Sequence, residues 1–206
     1  MKRFIPFLVI ILAVACTNEQ PRLTAEAERV DSTAVVLNAI AKRHSVRNFT
    51  EQRVSADTLQ MLARAGMAAP TACNKQPWAV MAIDEREVLD TLFNRMGYRE
   101  SMQKAQAAIV VCGDMSKTLE DVARDFWIQD CSAMTENILV AAQACGLGAV
   151  WTGVYPIEER VEIVRTTFCL PEQIVPLCVI LVGHPVEGAD EVKDKWVDKN
   201  YHYNRW

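Results

Sequence analysis

Four short apolar runs, separated by longer segments with helical periodicity, constrain the fold of this chain more than any other feature. The runs span residues 78–83, 107–113, 149–154 and 176–183, and the last is almost wholly apolar. Apolar runs of this length are typical of buried strands. No two of them are joined by a tight hairpin turn. The pattern therefore predicts an α+β or α/β domain in which helices cover a small sheet.

The chain before the first run predicts two helices. Asp31 or Ser32 is the expected cap of the first helix, which ends at Lys42. Ser55 is the expected cap of the second helix, and Pro70 ends it. The side chains expected to face the core are Val36, Leu37, Ile40 and Ala41 in the first helix and Leu59, Leu62, Ala63 and Gly66 in the second.

Three further helices are predicted between the later runs. Asp84 with Glu87, and Thr118 with Asp121, have the spacing of capping boxes, and each pair is expected to open a helix. Pro156 is expected to begin the last helix. The expected inner residues are Val88, Leu89, Leu92, Phe93 and Met96 after the first pair, and Ile157, Val161, Val164 and Phe168 after Pro156.

The helix that Thr118 and Asp121 are expected to open is the longest, and Gly146 is its expected stop. Its apolar or small residues recur at intervals of four and three, which is a seam with a period of three and a half residues. Such a seam predicts packing along another helix for several turns, either within the same subunit or on a partner. The seam consists of Trp127, Cys131, Met134, Ile138, Ala141 and Cys145.

The first fifteen residues have the pattern of a bacterial secretion signal. Lys2 and Arg3 precede an apolar run that is too short to span a bilayer as a mature helix. Residues 12–16 resemble a lipobox, in which Cys16 is lipidated, and an ordinary signal peptide cleaved nearby is the alternative. We predict a signal peptide over residues 1–15, a lipidated Cys16 with a polar tether to residue 30, and a domain over residues 31–206. The predicted location is the bacterial cell envelope, at the periplasmic or outer-membrane face, with the lipid as the only membrane anchor.

The composition fits one folded domain. The chain has 206 residues, of which 50% are apolar and 23% are charged, which is enough for one substantial core. Its formal net charge is −4, and removal of Lys2 and Arg3 with the signal would make it more negative by two. The charges are mixed along the chain, so no nucleic-acid partner is expected. An anionic partner must therefore be held by a local cluster of cations.

The sequence shows no constellation of catalytic side chains or metal ligands. Its seven cysteines include no Cys-x-x-Cys pair, the histidines lie far apart, and no nucleophile elbow, zinc-protease or phosphate-loop motif is present. Apart from Cys16, the cysteines stand in apolar surroundings and are expected to be buried free thiols. An enzyme with this sequence would need a cofactor for the difficult step.

Three clusters are candidates for ligand binding. Residues 43–49 place Arg43 and Arg47 four positions apart with Ser45 between them, which brings both cations to one side and suits an anion; a basic helix end is the alternative. Residues 70–78 form a polar turn in which Asn74 and Gln76 suit the edge of a heterocycle. Residues 146–153 contain glycines that allow a flat ligand to approach. Each cluster alone is also explained by ordinary turn chemistry.

In this order, the clusters resemble the nitroreductase family of FMN-dependent oxidoreductases, in a compact form that covers about residues 35–206. Thr71 stands where the family has serine, which keeps the hydroxyl. The resemblance implies an α+β fold with a small central sheet covered by helices, in an intertwined homodimer. The matching motifs are Arg43-His44-Ser45-Val46-Arg47, Ala69-Pro70-Thr71 through Asn74, Gln76 and Trp78, Gly146-Leu147-Gly148, Gly183-His184-Pro185, and Lys193 with Lys195.

The resemblance implies which residues hold FMN at its phosphate. Arg43 and Lys195 would bind the phosphate, and Lys193 is the second basic residue near the C-terminus. Ser45 would donate a hydrogen bond nearby, and His44 would line the same strip. Arg47 would reach the pyrimidine edge of the flavin ring.

The other two clusters would contact the flavin ring. Pro70, Thr71 and Asn74 would reach it from the neighbouring subunit, and Gln76 belongs to the same turn. The backbone around Gly153, close to Trp151, would lie against the reactive edge, where a main-chain N–H could bond to N5. No catalytic side chain and no metal are implied, because the flavin performs the chemistry.

The implied activity is hydride transfer from NAD(P)H to FMN N5 and then to a small electron-poor acceptor, such as a nitroaromatic or a quinone, in a ping-pong cycle. Nicotinamide cofactors are cytoplasmic, whereas the signal directs the domain outward. An envelope flavin-binding electron relay that does not use NAD(P)H is therefore the alternative. A structural lipoprotein that has lost the flavin is a third possibility.

Overall fold

Four strands pair into one antiparallel sheet. The computed structural model describes residues 31–206, and the strands are β1 (Trp78–Ile83), β2 (Ala107–Asp114), β3 (Gly148–Gly153) and β4 (Ile174–Gly183). Their order in the sheet is β1-β2-β4-β3, and each neighbouring pair is antiparallel. The four predicted strands are confirmed, and the antiparallel pairing decides for α+β over α/β.

Within the described residues, six helices accompany the sheet. The second helix is confirmed in detail: the Oγ of Ser55 accepts a hydrogen bond from the Thr58 N–H at 3.1 Å, and Leu59, Leu62 and Gly66 are buried. Short 3-10 turns lie at Ala72–Asn74, Asp121–Ala123 and Asp198–Asn200. The helices are α1 (Ser32–Lys42), α2 (Ala56–Gly66), α3 (Arg86–Arg95), α4 (Glu100–Gln103), α5 (Phe126–Ala144) and α6 (Glu158–Phe168).

Both faces of the sheet are covered, which explains why its strands are apolar without alternation. Every residue of β2 is buried, and successive residues face opposite sides. Ile109 and Val111 belong to a core cluster with α2 and α5, whereas Val110 belongs to a second cluster with α3 and α6. Each fully buried aliphatic side chain contributes about 1.5–3 kcal/mol, so the two clusters make the sheet a rigid support for its edges.

The seam of α5 packs inside its own subunit. Trp127, Cys131, Met134 and Ile138 are buried in the same cluster as the inner face of α2. The contact is close, because a Cβ on Gly66 of α2 would lie 2.8 Å from Ile138 Cγ1. Of the two alternatives that the seam left open, packing within the subunit is the one observed. The seam is shorter than predicted, because Ala141 is only partly buried and Cys145 is exposed.

Both predicted capping boxes are wrong. Helix α3 begins at Arg86 with Glu85 at the cap position, which puts Glu87 one residue too early to bond back to the cap. Helix α5 begins at Phe126, well after Thr118. The Thr118 hydroxyl instead donates to the carbonyl of Met115 at 3.1 Å, and such local bonds compete with helix formation.

The first helix differs from the prediction in its burial, and the last helix differs in the residue at which it begins. Helix α1 has the expected bounds but no buried residue, because no described part of the same chain covers its apolar side. That side consists of Val35, Val36, Leu37 and Ile40, which are 51–60% exposed. Helix α6 begins at Glu158 rather than Pro156, since the backbone of Ile157 is extended, and Ile157 is exposed rather than inner.

The cysteines divide into two groups, so the expectation of uniformly buried thiols is half wrong. All six cysteines of the described chain are free. Cys112, Cys131 and Cys178 are buried, and burial raises the pKa of Cys112 and of Cys178 to about 12. The exposed thiols lie at element ends and in a turn, where the core does not reach; they are Cys73, Cys145 and Cys169.

Residues 45–49 form an extended strip along the free edge of β3. Ser45 pairs with Ala149 in a parallel bridge, and the Val46 N–H donates to the Ala149 carbonyl at 3.0 Å. Phe49 forms a further bridge with Pro185, just after β4. Val46 and Phe49 are 2% and 1% exposed, so two buried side chains fix the strip to the sheet.

The tail after residue 186 lies on the surface and has one short 3-10 turn. Its aromatic residues are exposed, with Trp196 at 64% and Trp206 at 99%. At the other end, the predicted signal peptide, lipidated Cys16 and tether lie outside the described residues. In residues 31–206, no helix is both long enough and apolar enough to cross a membrane.

Candidate functional site

A polar cavity of about 430 Å³ opens between the edge strip and the tail, within the size range of small-molecule sites. Three permanent cations face it, and two carboxylates stand among them. A serine hydroxyl and an imidazole complete its polar groups. The lining residues are His44, Ser45, Arg47, Gly188, Ala189, Asp190, Glu191, Lys193 and Lys195. The structure therefore brings together five of the residues that the sequence proposed for binding.

The strip places its polar side chains in this cavity because alternate residues of an extended segment face opposite ways. Val46 packs toward the sheet, against Gly148, and Ser45 and Arg47 line the cavity. The Arg47 guanidinium donates from Nη1 to the Ser45 carbonyl at 3.2 Å. On the neighbouring residue, Nδ1 of His44 lies 2.9 Å from the carbonyl of Lys42. The strip thus has local bonds that restrict its side chains.

The tail is attached to the strip by Asp190. Its Oδ2 accepts hydrogen bonds from the Arg47 N–H at 2.9 Å, from the Asn48 N–H at 3.2 Å and from Asn48 Nδ2 at 3.1 Å. Burial alone would raise the pKa of the Asp190 carboxyl, but these hydrogen bonds and the nearby charge of His44 outweigh it, so the pKa lies below its usual range. The carboxylate is therefore ionised at neutral pH.

The donor set of the cavity fits a phosphate-bearing cofactor. Lys193 and Lys195 supply ammonium donors, Arg47 supplies a guanidinium and Ser45 supplies a hydroxyl, all on one cavity; these are groups that bind phosphate oxygens. The charge of Asp190 is already engaged by three N–H donors. Glu191 is the remaining carboxylate on the cavity wall and opposes an anion there.

Arg43 does not line this cavity. Its Nε forms an ion pair with Oε1 of Glu136 on α5 at 2.8 Å, and its side chain is 19% exposed. The structure thus places Arg47, rather than Arg43, on the same cavity as Lys195. The assignment of Arg43 to a phosphate remains a prediction.

The turn after α2 is a rigid loop with an unusual backbone. Cys73, Asn74 and Gln76 have φ values of 49°, 53° and 48°, and such residues persist only where surrounding bonds hold them. The Thr71 Oγ1 accepts from the Gln76 N–H at 3.0 Å, and Gln76 Nε2 donates to Asn74 Oδ1 at 3.2 Å. The hydroxyl that Thr71 shares with serine therefore closes the turn.

A buried carboxylate anchors this turn to the core. Asp130 of α5 is 7% exposed, and its Oδ1 accepts from the Ala72 N–H at 2.9 Å. Pro70 and Asn74 are exposed, and no residue of the turn lines the cavity of the same chain. The turn is therefore exposed at the surface and separate from the cavity of its own chain.

The third cluster lies on β3 and is also separate from the cavity. Trp151 is partly buried against the core cluster of α2 and α5. Gly153 is exposed, and a Cβ on it would meet nothing within 4 Å. Arg160 of α6 donates from Nη1 to the Gly153 carbonyl at 2.8 Å, which fixes the end of the strand.

Sequence reasoning missed three residues that position these groups. Asp190 and Asp130 bind backbone N–H groups that are 143 and 58 residues away, and Arg160 binds the end of β3. A carboxylate within a charged tail, or within a helix, has no local pattern that distinguishes it. Only the tertiary contacts identify these residues.

Comparison with known proteins gives one consistent result. The model of the nitroreductase family matches residues 40–97 and 89–184. A protein of Methanothermobacter thermautotrophicus, named "Putative NADH dehydrogenase/NAD(P)H nitroreductase", is 36% identical over 190 residues, which is 92% of this chain and 97% of that protein. An NADPH-dependent oxidoreductase of Staphylococcus aureus is 26% identical over 83% of this chain and 74% of its own length.

Solved structures share the fold. A crystal structure from Parabacteroides distasonis, with the same name as the Methanothermobacter protein, is 40% identical, covers 83% of this chain and 98% of its own, and has a TM-score of 0.75. A structure from Desulfovibrio desulfuricans that was solved in complex with FMN is 26% identical, covers 83% of this chain and 97% of its own, and has a TM-score of 0.68.

Proposed function

This chain belongs to the nitroreductase family, and from that premise we propose that it moves hydride from NAD(P)H through FMN to a small electron-poor acceptor, such as a nitroaromatic or a quinone. The chain is an oxidoreductase with FMN as its cofactor. The ping-pong order and the identity of the acceptor are the finer parts of the proposal.

The observation that supports FMN most directly is the cavity between the strip and the tail. Arg47, Lys193 and Lys195 converge there with Ser45 although the protein as a whole is acidic. A local cluster of cations is what an anionic cofactor needs in such a chain. We assign Lys193, Lys195 and Ser45 to the phosphate.

Arg47 has a second role in the proposal. Its guanidinium, bonded to the Ser45 carbonyl, is a permanent charge at one wall of the cavity, and we assign it to the pyrimidine edge of the ring. When bound, FMN supplies a ring that accepts and releases hydride. A cation beside the ring favours its reduced, more negative state.

The remaining candidate residues require a second copy of the chain. The turn at residues 70–76 does not line the cavity of its own chain, which agrees with a contribution to the neighbouring site. The apolar side of α1 and the outer side of α5 form an open groove of about 500 Å³ that includes Val36, Ile40 and Val140. We propose that a second copy covers this groove, in a homodimer with two shared sites.

The dimer is tested by a charge in the groove. Ile40→Glu should shift the protein to a monomer in sedimentation velocity, because a carboxylate in an apolar interface is strongly unfavourable. Val122→Glu is the matched control, since Val122 is 99% exposed and lies outside the groove. A wild-type protein that binds FMN as a monomer would contradict the shared site.

A second candidate function is an envelope electron relay that does not use NAD(P)H. The observation that favours it is the lipobox-like N-terminus, which would place the domain away from cytoplasmic nicotinamides. We propose that Cys16 is lipidated and holds the domain at the cell envelope. Incorporation of labelled palmitate by the wild type, and its loss in Cys16→Ala, would support the anchor; equal labelling of both would exclude it.

The proposed activity is tested by absorbance. The protein without residues 1–15 should be yellow, or become so with added FMN, and NADH or NADPH should bleach it in the absence of oxygen. A colourless protein that leaves FMN unbound would exclude the flavoprotein. A yellow protein that neither nicotinamide bleaches, but that an artificial reductant does, would favour the relay.

A further inference from the structure

Asp190 is the residue through which the tail holds the strip. Its Oδ2 accepts three hydrogen bonds from Arg47 and Asn48, at 2.9–3.2 Å. The structure gives no other hydrogen bond or ion pair from residues 190–206 to residues 35–186. Hydrogen bonds further along this segment, such as Trp196 Nε1 to Asp198 Oδ1 at 2.7 Å, stay within it.

The two lysines of the cavity depend on this attachment. Lys193 and Lys195 follow Asp190 by three and five residues and lie on an exposed segment. They meet Ser45 and Arg47 at one cavity, yet the strip and the tail are more than 140 residues apart in sequence. The preceding hydrogen bond between this segment and the strip runs from the Val186 N–H to the Asn48 carbonyl at 3.0 Å, which is seven residues before Lys193. Without the further fixed point at residue 190, both ammonium groups would be less confined at the cavity.

We propose that Asp190 is a positioning residue for FMN, which assembles the phosphate site by fixing the lysine segment to the backbone of the strip. The predicted effect on FMN affinity depends on the proposed function, whereas the attachment of the tail to the strip by Asp190 does not. The expected effect on FMN affinity is opposite to the effect of charge, because a carboxylate on the wall of an anion site repels the anion. On charge alone, its removal would strengthen FMN binding; as a positioning residue, its removal weakens binding.

The two effects are separated by a matched pair of variants. Asp190→Ala removes the charge together with the three hydrogen bonds. Glu191→Gln removes the same charge from the same cavity wall, where the structure gives Glu191 no hydrogen bond or ion pair with residues 35–206. Asn48→Ala removes one donor of the attachment without changing the charge of the protein.

The first measurement is the FMN dissociation constant of the full-length protein, followed by quenching of flavin fluorescence. We expect Asp190→Ala to weaken FMN binding at least ten-fold and Asn48→Ala about three-fold, while Glu191→Gln tightens it, because the variant removes a carboxylate that repels the phosphate. The double variant Asp190→Ala/Asn48→Ala should bind FMN no more weakly than Asp190→Ala, since both changes disrupt the same attachment. Equal or tighter binding by Asp190→Ala would overturn the proposal.

The second measurement needs no cofactor. In the apoprotein, the backbone amides of Arg47 and Asn48 should exchange hydrogen at least ten-fold faster in Asp190→Ala and at the wild-type rate in Glu191→Gln. Unchanged exchange in Asp190→Ala would also overturn the attachment. If Asp190→Ala does not fold, Asn48→Ala serves as the test in both assays. An Asn48→Ala protein that binds FMN with wild-type affinity and exchanges its Arg47 amide at the wild-type rate would refute the proposal. A wild type that binds no FMN would refute the proposed cofactor, and amide exchange would still decide the attachment.

Discussion

Replacing Gly148 with alanine should force the binding strip away from β3. A Cβ at this position would lie 2.6 Å from Val46 Cγ1, 2.8 Å from Val46 Cβ and 3.0 Å from Val46 Cγ2. Rotation of the Val46 side chain cannot relieve the clash, because rotation about χ1 does not move Val46 Cβ. The backbone of residues 45–47 must therefore shift, and Ser45 and Arg47 shift with it.

The size of the effect follows from two contributions. Overpacking a well-packed core by one methyl group costs about 1–3 kcal/mol. Weakening the hydrogen bond from the Val46 N–H to the Ala149 carbonyl costs about 1 kcal/mol more. The expected loss is about 3 kcal/mol, which lowers the melting temperature of a domain of this size by about 6–12 °C.

Thermal unfolding followed by circular dichroism measures this loss. Gly153→Ala is the matched control, because a Cβ there meets nothing within 4 Å, and its stability should stay within about 0.5 kcal/mol of the wild type. Val46→Ala should partly relieve Gly148→Ala, so that the double variant loses less than the sum of the two single losses. A Gly148→Ala protein that melts within about 2 °C of the wild type, with full FMN affinity, would refute the reasoning.

Four other perturbations have defined outcomes. Arg43→Ala should weaken FMN binding measured by fluorescence, whereas Arg47→Ala should chiefly lower the flavin reduction potential measured by redox titration; the opposite result would exchange their proposed roles. Asp114→Asn should destabilise the protein by about 1.5–3 kcal/mol at pH 7, because the hydrogen bond from the Ser116 hydroxyl holds the pKa of Asp114 below its usual range against the effect of burial. This stabilisation is present above about pH 4 and disappears as the pH falls through the lower folded pKa. The unfolding free energies of both proteins, measured by urea denaturation, should therefore converge as the pH falls below that pKa; a constant difference would contradict the assignment. A thiol reagent should modify the buried cysteines Cys112, Cys131 and Cys178 only after the protein unfolds. Rapid modification in the native state would show that the core opens.

The sequence predicted the sheet well because each strand is a short apolar run. The signal is strongest for the two central strands, β2 and β4, which are buried on both faces. Helix starts were predicted less well. Ser55 acts as a cap as predicted, whereas the Thr118 hydroxyl bonds to the carbonyl of Met115 instead. A side chain with several local partners does not indicate which one it will choose.

The candidate site shows a similar division. Residues 43–49 indicated a group of anion-binding side chains but left a basic helix end as the alternative, and the tail lysines follow from the resemblance to the family. The separation of Arg43 from Arg47 does not, since it depends on Glu136 of α5. The exposed apolar side of α1 is a similar case: the bounds of the helix are predicted correctly, but its expected inner residues are exposed, because no described residue covers them.

The sequence by itself determined the four strands, the family and the residue types available to the cofactor, because short apolar runs and motifs are local properties. The tertiary structure alone decided which of those residues meet. Lys195 and Arg47 line one cavity because Asp190 bonds to a backbone 143 residues away, and the strip lies on β3 because Gly148 leaves room for Val46. Contacts at that separation depend on how the sheet and helices pack, which no local pattern specifies.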